Sequence, residues 1–202
     1  MVEGANAVGK STICKKLVEM LSNSEKIDNI FNGVISTKFP CNLNPRHNLY
    51  DLIESQSPRL NEEFAIDRYF WFLQNFPNLE YLENFLVISD RYMSSSFAFN
   101  SNGNFGNLQE LEYAEYKVLG NPVPTLEFII DVNPDEAKRR IELRGNELRH
   151  NERDWTIQEN AYKKYLTYNK IVTTHECFLI KNKNVDTAVM SIFIKILEYL
   201  GE

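Results

Sequence analysis

Close to its start the chain reads Gly4-Ala5-Asn6-Ala7-Val8-Gly9-Lys10-Ser11-Thr12, the spacing Gly-x-x-x-x-Gly-Lys-Ser. No other stretch limits the possible folds so strongly. Glycines let successive backbone N–H groups turn toward one centre, and a following helix adds its positive N-terminus, so the loop cradles an anion. The arrangement requires a buried strand before the loop and a helix behind it, which points to an α/β architecture. Ser11–Leu21 provides the helix, with Ile13, Leu17, Met20 and Leu21 on one stripe. Val2-Glu3 provides only a stub of strand, so either Met1 is not the natural beginning or the fold accepts a very short central strand. In such a loop residues Gly4, Ala5, Asn6, Ala7, Val8, Gly9, Lys10, Ser11 and Thr12 surround the phosphates of a nucleoside triphosphate. Lys10 reaches the β and γ phosphates, and the Ser11 hydroxyl is a ligand for Mg²⁺. The plain alternative, an incidental Gly-Lys-Ser turn, is weakened by the amphipathic helix directly behind it.

Four further runs, Gly33–Phe39, Phe85–Ser89, Leu126–Val132 and Cys177–Lys181, are continuously apolar rather than alternating. That is the signature of parallel strands covered on both faces. Between them, Leu60–Phe76 is an aromatic-rich helix stopped by Pro77, Asn133-Pro134 starts another, and Val185–Leu200 closes the chain as an amphipathic helix. Strands alternating with helices predict a three-layer α/β fold, a five-stranded, mostly parallel sheet with helices on both faces. No linker or repeat interrupts it, so residues 1–202 are read as one domain.

With 202 residues and a net charge of −6, broad binding to nucleic acid is disfavoured, because that needs a basic face. No apolar run approaches the length of a membrane span and no signal peptide is visible, which predicts no membrane association and a cytoplasmic location. Cys14, Cys41 and Cys177 lack metal-ligand spacing and read as reduced thiols.

Three classes of protein own such a phosphate loop. A regulatory GTPase also needs Asp-x-x-Gly and Asn-Lys-x-Asp; no aspartate here is followed three residues on by glycine, and Asn182-Lys183-Asn184 is followed by Val185. A motor or transport ATPase is normally larger. A small kinase needs a second anionic pocket for an acceptor, beyond the carboxyl ends of the strands. Asp90 and Arg91 follow the Phe85–Ser89 run and stand at that place. Asp90 suits Mg²⁺ or the acceptor phosphate, and Arg91 suits a bidentate clamp on that phosphate. Alone, the two would read as a surface ion pair capping a strand.

The run Asp90-Arg91-Tyr92, with Ser95, Ser96 and Ala98 behind it, resembles the signature of the thymidylate kinase family; Phe99 and Asn100 replace its Tyr and Gln. Glu3, Gly4, Gly9, Lys10, Ser11 and Thr12 match that family's opening motif, with Asn6 in place of an Asp. Lys38-Phe39-Pro40 and the stretch Glu63–Phe70 resemble two more of its segments. The resemblance extends from Glu3 to about Tyr165. It implies transfer of the γ-phosphate of ATP to dTMP, dependence on Mg²⁺ at Ser11 and Asp90, and a homodimer. It further implies a dTMP site of Asn6, Lys38, Phe39, Phe64, Arg68, Arg91, Ser95, Phe99 and Asn100. There Phe64 stacks on thymine, Arg68 donates to its O4 and Asn6 approaches the 3′-hydroxyl. Phe64 and Arg68 lie at i, i+4 and project together. The blander readings are that Phe64, Tyr92 and Phe99 pack in the core and that Ser94–Ser96 is a solvated helix start.

Residues Lys138–Asp154 carry Arg139, Arg140, Arg144, Arg149 and Arg153. Such a run is usually a charged surface loop. The family resemblance instead suggests a lid at about 142–154. Ala7 stands where some members carry an Arg in the phosphate loop, which moves the catalytic arginine to Arg144, Arg149 or Arg153. Lys10, Asp90 and Arg91 complete the catalytic set. A deoxynucleoside kinase or a broader deoxynucleoside monophosphate kinase remains the alternative enzyme, and a nucleotide-binding regulator without turnover the alternative outside catalysis.

Overall fold

Five strands form one sheet in the order β2-β3-β1-β4-β5. They are β1 (Val2–Glu3), β2 (Val34–Lys38), β3 (Leu86–Asp90), β4 (Leu126–Asp131) and β5 (Glu176–Lys181). The computed structural model describes residues 1–43, 48–76, 78–145, 148 and 150–201, without the side chains of Leu79 and His150. Every strand pair is parallel, so the sheet is fully rather than mostly parallel. The chain leaves β1 toward β3 and β2 on one side, then returns to β4 and β5 on the other. The order therefore reverses beside β1, and a crevice opens at the carboxyl ends of β1 and β3.

β1 is short but central. Val2 pairs with Asp90 on one side and with Phe128 on the other, and Val2 is buried. The four apolar runs of the sequence become β2 to β5 with ends displaced by at most one residue, within the usual uncertainty of a strand end.

Helices cover both faces. α1 (Lys10–Ser22) and α10 (Val185–Tyr199) lie on one, where Ile13, Leu17, Leu21, Val189 and Ile192 meet Phe128 and Ile130. α4 (Leu60–Asn75), α5 (Met93–Asn100) and α9 (Trp155–Ile171) lie on the other, where Trp71, Phe72, Phe97 and Tyr168 meet Ile129. Phe128, Ile129 and Ile130 thus alternate between the two cores, as the two-residue period of a strand requires. The remaining helices are α2 (Glu25–Ile30), α3 (Leu49–Glu54), α6 (Phe105–Glu112), α7 (Pro134–Arg144) and α8 (His150–Arg153). α7 starts as the sequence foretells: the Asn133 side chain accepts from the Asp135 N–H at 2.9 Å, with Pro134 as the first residue. α4 ends at Asn75, and the predicted stop at Pro77 lies outside the described residues. Among the described residues no helix is long and apolar enough to cross a membrane.

Candidate active site

The loop between β1 and α1 is folded by contacts from three distant segments. Gly4 has φ 135°, and a Cβ there would stand 2.9 Å from the Ile130 carbonyl oxygen, so β4 approaches too closely for any other residue. Asn182, just past β5, donates from Nδ2 to the Val8 carbonyl at 2.6 Å. Gln158, on α9, accepts the Asn6 N–H at 3.0 Å. Lys10 is buried and donates from Nζ to the Gly4 and Ala5 carbonyls at 2.9 and 2.6 Å, so its ammonium is held over its own loop. Burial, then the nearby Arg91 charge, lowers the Lys10 ammonium to about 7, against the opposing pull of Asp90 and Glu3. An anion brought into the loop would favour its charged form.

Asp90 and Arg91 do not pair with each other, contrary to the surface ion-pair reading. Asp90 is buried; its Oδ2 accepts from Ser11 Oγ at 2.5 Å, and its Oδ1 is buried with no hydrogen-bond partner. A hydroxyl beside a carboxylate with spare lone pairs is a donor set suited to a hard cation such as Mg²⁺. The remaining ligands would be water and phosphate oxygens, since no group of three or more His, Cys, Asp or Glu gathers among the described residues. Lys38 approaches the same place from β2, with Nζ 3.4 Å from Ser11 Oγ and 3.8 Å from Asp90 Oδ2.

Arg91 turns the other way. Its φ is 77°, uncommon for a residue with a side chain, and its Nη1 and Nη2 donate to Ser95 Oγ at 3.0 Å and Asn6 Oδ1 at 2.6 Å. The guanidinium lies 5.4 Å from the Phe99 ring centre. Beneath it Glu3, fully buried, accepts from the Tyr92 N–H, from Ser95 Oγ at 2.7 Å and from Tyr165 Oη at 3.0 Å. Burial raises the Glu3 carboxyl above its usual range, and Arg91 opposes that shift. Ser94 and Ser96 are buried rather than solvated, and Ser94 donates to the buried Glu127.

A cavity of about 1050 Å³ opens beside this cluster. Asn6, Lys38, Phe39, Phe64, Arg68, Arg91, Ser95, Phe99 and Asn100 all line it, although four separate stretches of the chain carry them. Arg68 sits at its floor, with Nε and Nη2 donating to Glu115 at 2.6 and 2.7 Å. Burial alone would lower the Arg68 guanidinium, but Glu115 outweighs it and holds it above its ordinary value. Glu115 itself is delivered by a π-helical turn, Tyr113–Val118, and also accepts from Asn121 Nδ2 at 2.9 Å. Phe39 is buried, its ring edge-on to Trp71, so it forms wall rather than contact surface. Asp67 accepts the Cys41 and Leu43 N–H groups at 2.6 and 2.5 Å and fixes the chain after β2.

The arginines at 144 to 153 separate. Arg144 pairs with the buried Glu152, Nη2 to Oε2 at 2.5 Å, away from the cavity lining. Arg153 lines the cavity and lies 3.6 Å from Glu54 of α3, both side chains more than half exposed. Arg149 lies outside the described residues. Arg139 and Arg140 both bond Glu136 on α7.

Sequence reading missed Gln158, Asn182, Glu115 and Asp67. Asn182 had one available signal, a polar residue at the carboxyl end of an apolar strand. The others depend on contacts across the fold.

Comparison with known proteins gives a consistent result. The family model described as thymidylate kinase matches residues 2–192. The thymidylate kinase of Mycoplasma genitalium is 34% identical over 101 residues, 49% of this chain and 47% of that protein. That of Mycoplasma capricolum is 27% identical over 128 residues, 62% of this chain and 59% of that protein. That of Leptospira borgpetersenii is 32% identical over 143 residues, 70% and 67% of the two chains. The chain thus spans from about half to two thirds of the length of these curated relatives in the matched regions. The crystal structure of thymidylate kinase from Ehrlichia chaffeensis shares the fold, with a TM-score of 0.60 at 19% identity, over 97% of this chain and 96% of that one. A parallel sheet with its order reversing at a phosphate loop, and a match running almost from end to end, lead to one conclusion: this chain belongs to the thymidylate kinase family.

Proposed function

We propose that the protein transfers the γ-phosphate of ATP to dTMP, giving dTDP, with Mg²⁺. The observation that carries this reading is the cavity beside the phosphate loop. Its lining combines three cationic side chains, Lys38 with Nζ 3.4 Å from Ser11 Oγ, Arg91 and Arg68, with the rings of Phe64 and Phe99. Cationic donors and aromatic rings in one cavity suit a molecule that carries both a phosphate and a flat, oxygen-bearing base.

In the proposed reaction Gly4–Thr12 holds the ATP phosphates and Lys10 neutralises charge on the group in transit. Ser11 and Asp90 would hold the cation, which when bound would neutralise phosphate charge. Arg91, steadied by Asn6 and Ser95, clamps the acceptor phosphate, and Lys38 assists. That phosphate is already ionised at neutral pH, so no strong general base is required and positioning supplies most of the rate. Phe64 and Phe99 flank the base and sugar, Arg68 donates to a carbonyl of the base, and Asn100 lies at the rim. Among the described arginines of the 142–154 segment, Arg153 is best placed to act on the reacting groups, because it lines the cavity. Arg144 is held by Glu152 and is better assigned to shaping that segment. Residues 1–202 acting as one domain, a homodimer and a cytoplasmic setting complete the proposal, on family grounds and on the uninterrupted α/β pattern.

An acceptor panel of dTMP, dUMP, dGMP and thymidine, read by ADP release with Mg-ATP, tests it. ADP release with dTMP well above the other acceptors is expected. Release no greater with dTMP than with buffer, alongside turnover of thymidine or dGMP, would overturn it.

A further inference from the structure

One buried amide joins the phosphate loop to the arginine-bearing segment. Gln158 lies on α9, a single turn beyond Trp155, and is 1% exposed. Its Oε1 accepts the Asn6 N–H at 3.0 Å, and its Nε2 donates to the Asn151 carbonyl at 2.6 Å. The partners fix the orientation of the amide, since an N–H requires the oxygen and a carbonyl requires the nitrogen. Asn6 and Asn151 both line the acceptor cavity, and Arg153 lies on the same short helix as Asn151. Glu152, between them, is tied to Arg144 at the end of α7.

α8 spans only His150–Arg153, too short to hold itself by its own backbone bonds. Its place is therefore set by what its groups touch. We propose that Gln158 is a positioning residue, which sets α8 and with it Arg153 at a fixed distance from the phosphate loop. The inference rests on the proposed kinase reading only for its kinetic consequence; the positional claim stands without it. The chemistry requires both ends of the amide. A side chain that only accepts would hold Asn6 and repel Asn151, and one with no polar atoms would hold neither.

Two substitutions separate these roles. Gln158→Glu keeps an acceptor for the Asn6 N–H but sets an ionised oxygen against the Asn151 carbonyl. Gln158→Met keeps the length and removes both bonds. The expected result for Gln158→Glu is a fall in kcat of about tenfold or more, from misplacement of Arg153. KM for ATP should stay within about twofold of wild type, because the loop contact survives. Protonation would give the introduced carboxyl an O–H that can replace the lost donor, and burial raises its pKa. Its activity relative to wild type should therefore rise as pH falls from about 8 to about 6, near the upper range of buried carboxyls. Gln158→Met should show the loss at every pH, with a weaker hold on ATP as well.

A second readout needs no substrate. Amide hydrogen exchange across residues 150–157 should quicken about fivefold or more in Gln158→Glu, while α10 exchanges as in wild type. Unchanged exchange in that segment overturns the proposal. So does a kcat loss that ignores pH, or one that appears only in KM for ATP. Failure of the wild type to phosphorylate dTMP would instead count against the kinase reading, and the exchange measurement would still decide the role of Gln158.

Discussion

Two arginine–glutamate pairs reach the same cavity through Arg68 and Arg153, and they are built differently. Arg68 and Glu115 meet through two bonds of 2.6 and 2.7 Å, with side chains 3% and 1% exposed. Arg153 and Glu54 stand 3.6 Å apart, 57% and 54% exposed. The buried pair is stiff, since neither charge can leave its partner without facing an apolar interior. The exposed pair contributes little and exchanges readily with water and salt. A group that reads the shape of a ligand benefits from the first arrangement. A group that must adjust to a reacting phosphate benefits from the second.

The largest expected effect comes from breaking the buried pair. Glu115→Gln strands the Arg68 charge and should lower unfolding free energy by about 3–5 kcal/mol in urea titrations. Replacing both partners, Arg68→Met with Glu115→Leu, should recover most of that loss. The double variant should still raise KM for dTMP about tenfold or more, with little change for ATP, because only a base contact is gone. Equal losses for both substrates would argue against Arg68 as the base reader. Arg153→Ala should leave stability within about 1 kcal/mol, as for other exposed pairs. Its kcat should nevertheless fall about tenfold or more if it touches the moving phosphoryl group. The smallest effect is expected from Glu54→Gln, which frees Arg153: stability should move by less than about 1 kcal/mol, and kcat should lose part of its sensitivity to added salt.

Much of the phosphate loop is legible in the sequence because it is made of backbone and local spacing. Gly4 and Gly9 are required by positive φ, Lys10 and Ser11 by the helix that follows, and all lie within one short stretch. Strands β2 to β5 are legible because burial on both faces leaves continuous apolar runs. The cavity beside it is only partly legible. Family resemblance pointed to nine residues there, and the fold brings all nine to one cavity. The supports of that cavity were hidden, because Glu115 sits 47 positions from Arg68 and nothing local marks the pair.

α2, α3 and α6 were not read from the sequence either, but α9 was the longest helix missed, and for a physical reason. Its buried face is Gln158, Ala161, Tyr165 and Tyr168, correctly spaced for a helix but mostly polar. A reading based on hydrophobic periodicity passes over such a stripe. The polar atoms are nonetheless satisfied: Tyr165 bonds Glu3, Tyr168 bonds Glu127 at 2.9 Å, and Gln158 bonds Asn6 and Asn151.

That buried polar stripe has a mechanical consequence. A helix seated by methyl groups can rotate a few degrees with little change in contact. A helix seated by hydroxyls on carboxylates cannot, because hydrogen bonds weaken steeply away from their preferred angles. α9 is therefore indexed about its own axis as well as along it, with Glu3 of β1 and Glu127 of β4 as the reference marks. The azimuth of Gln158 is inherited from those two strand residues, so the centre of the sheet sets the aim of side chains at the rim of the cavity.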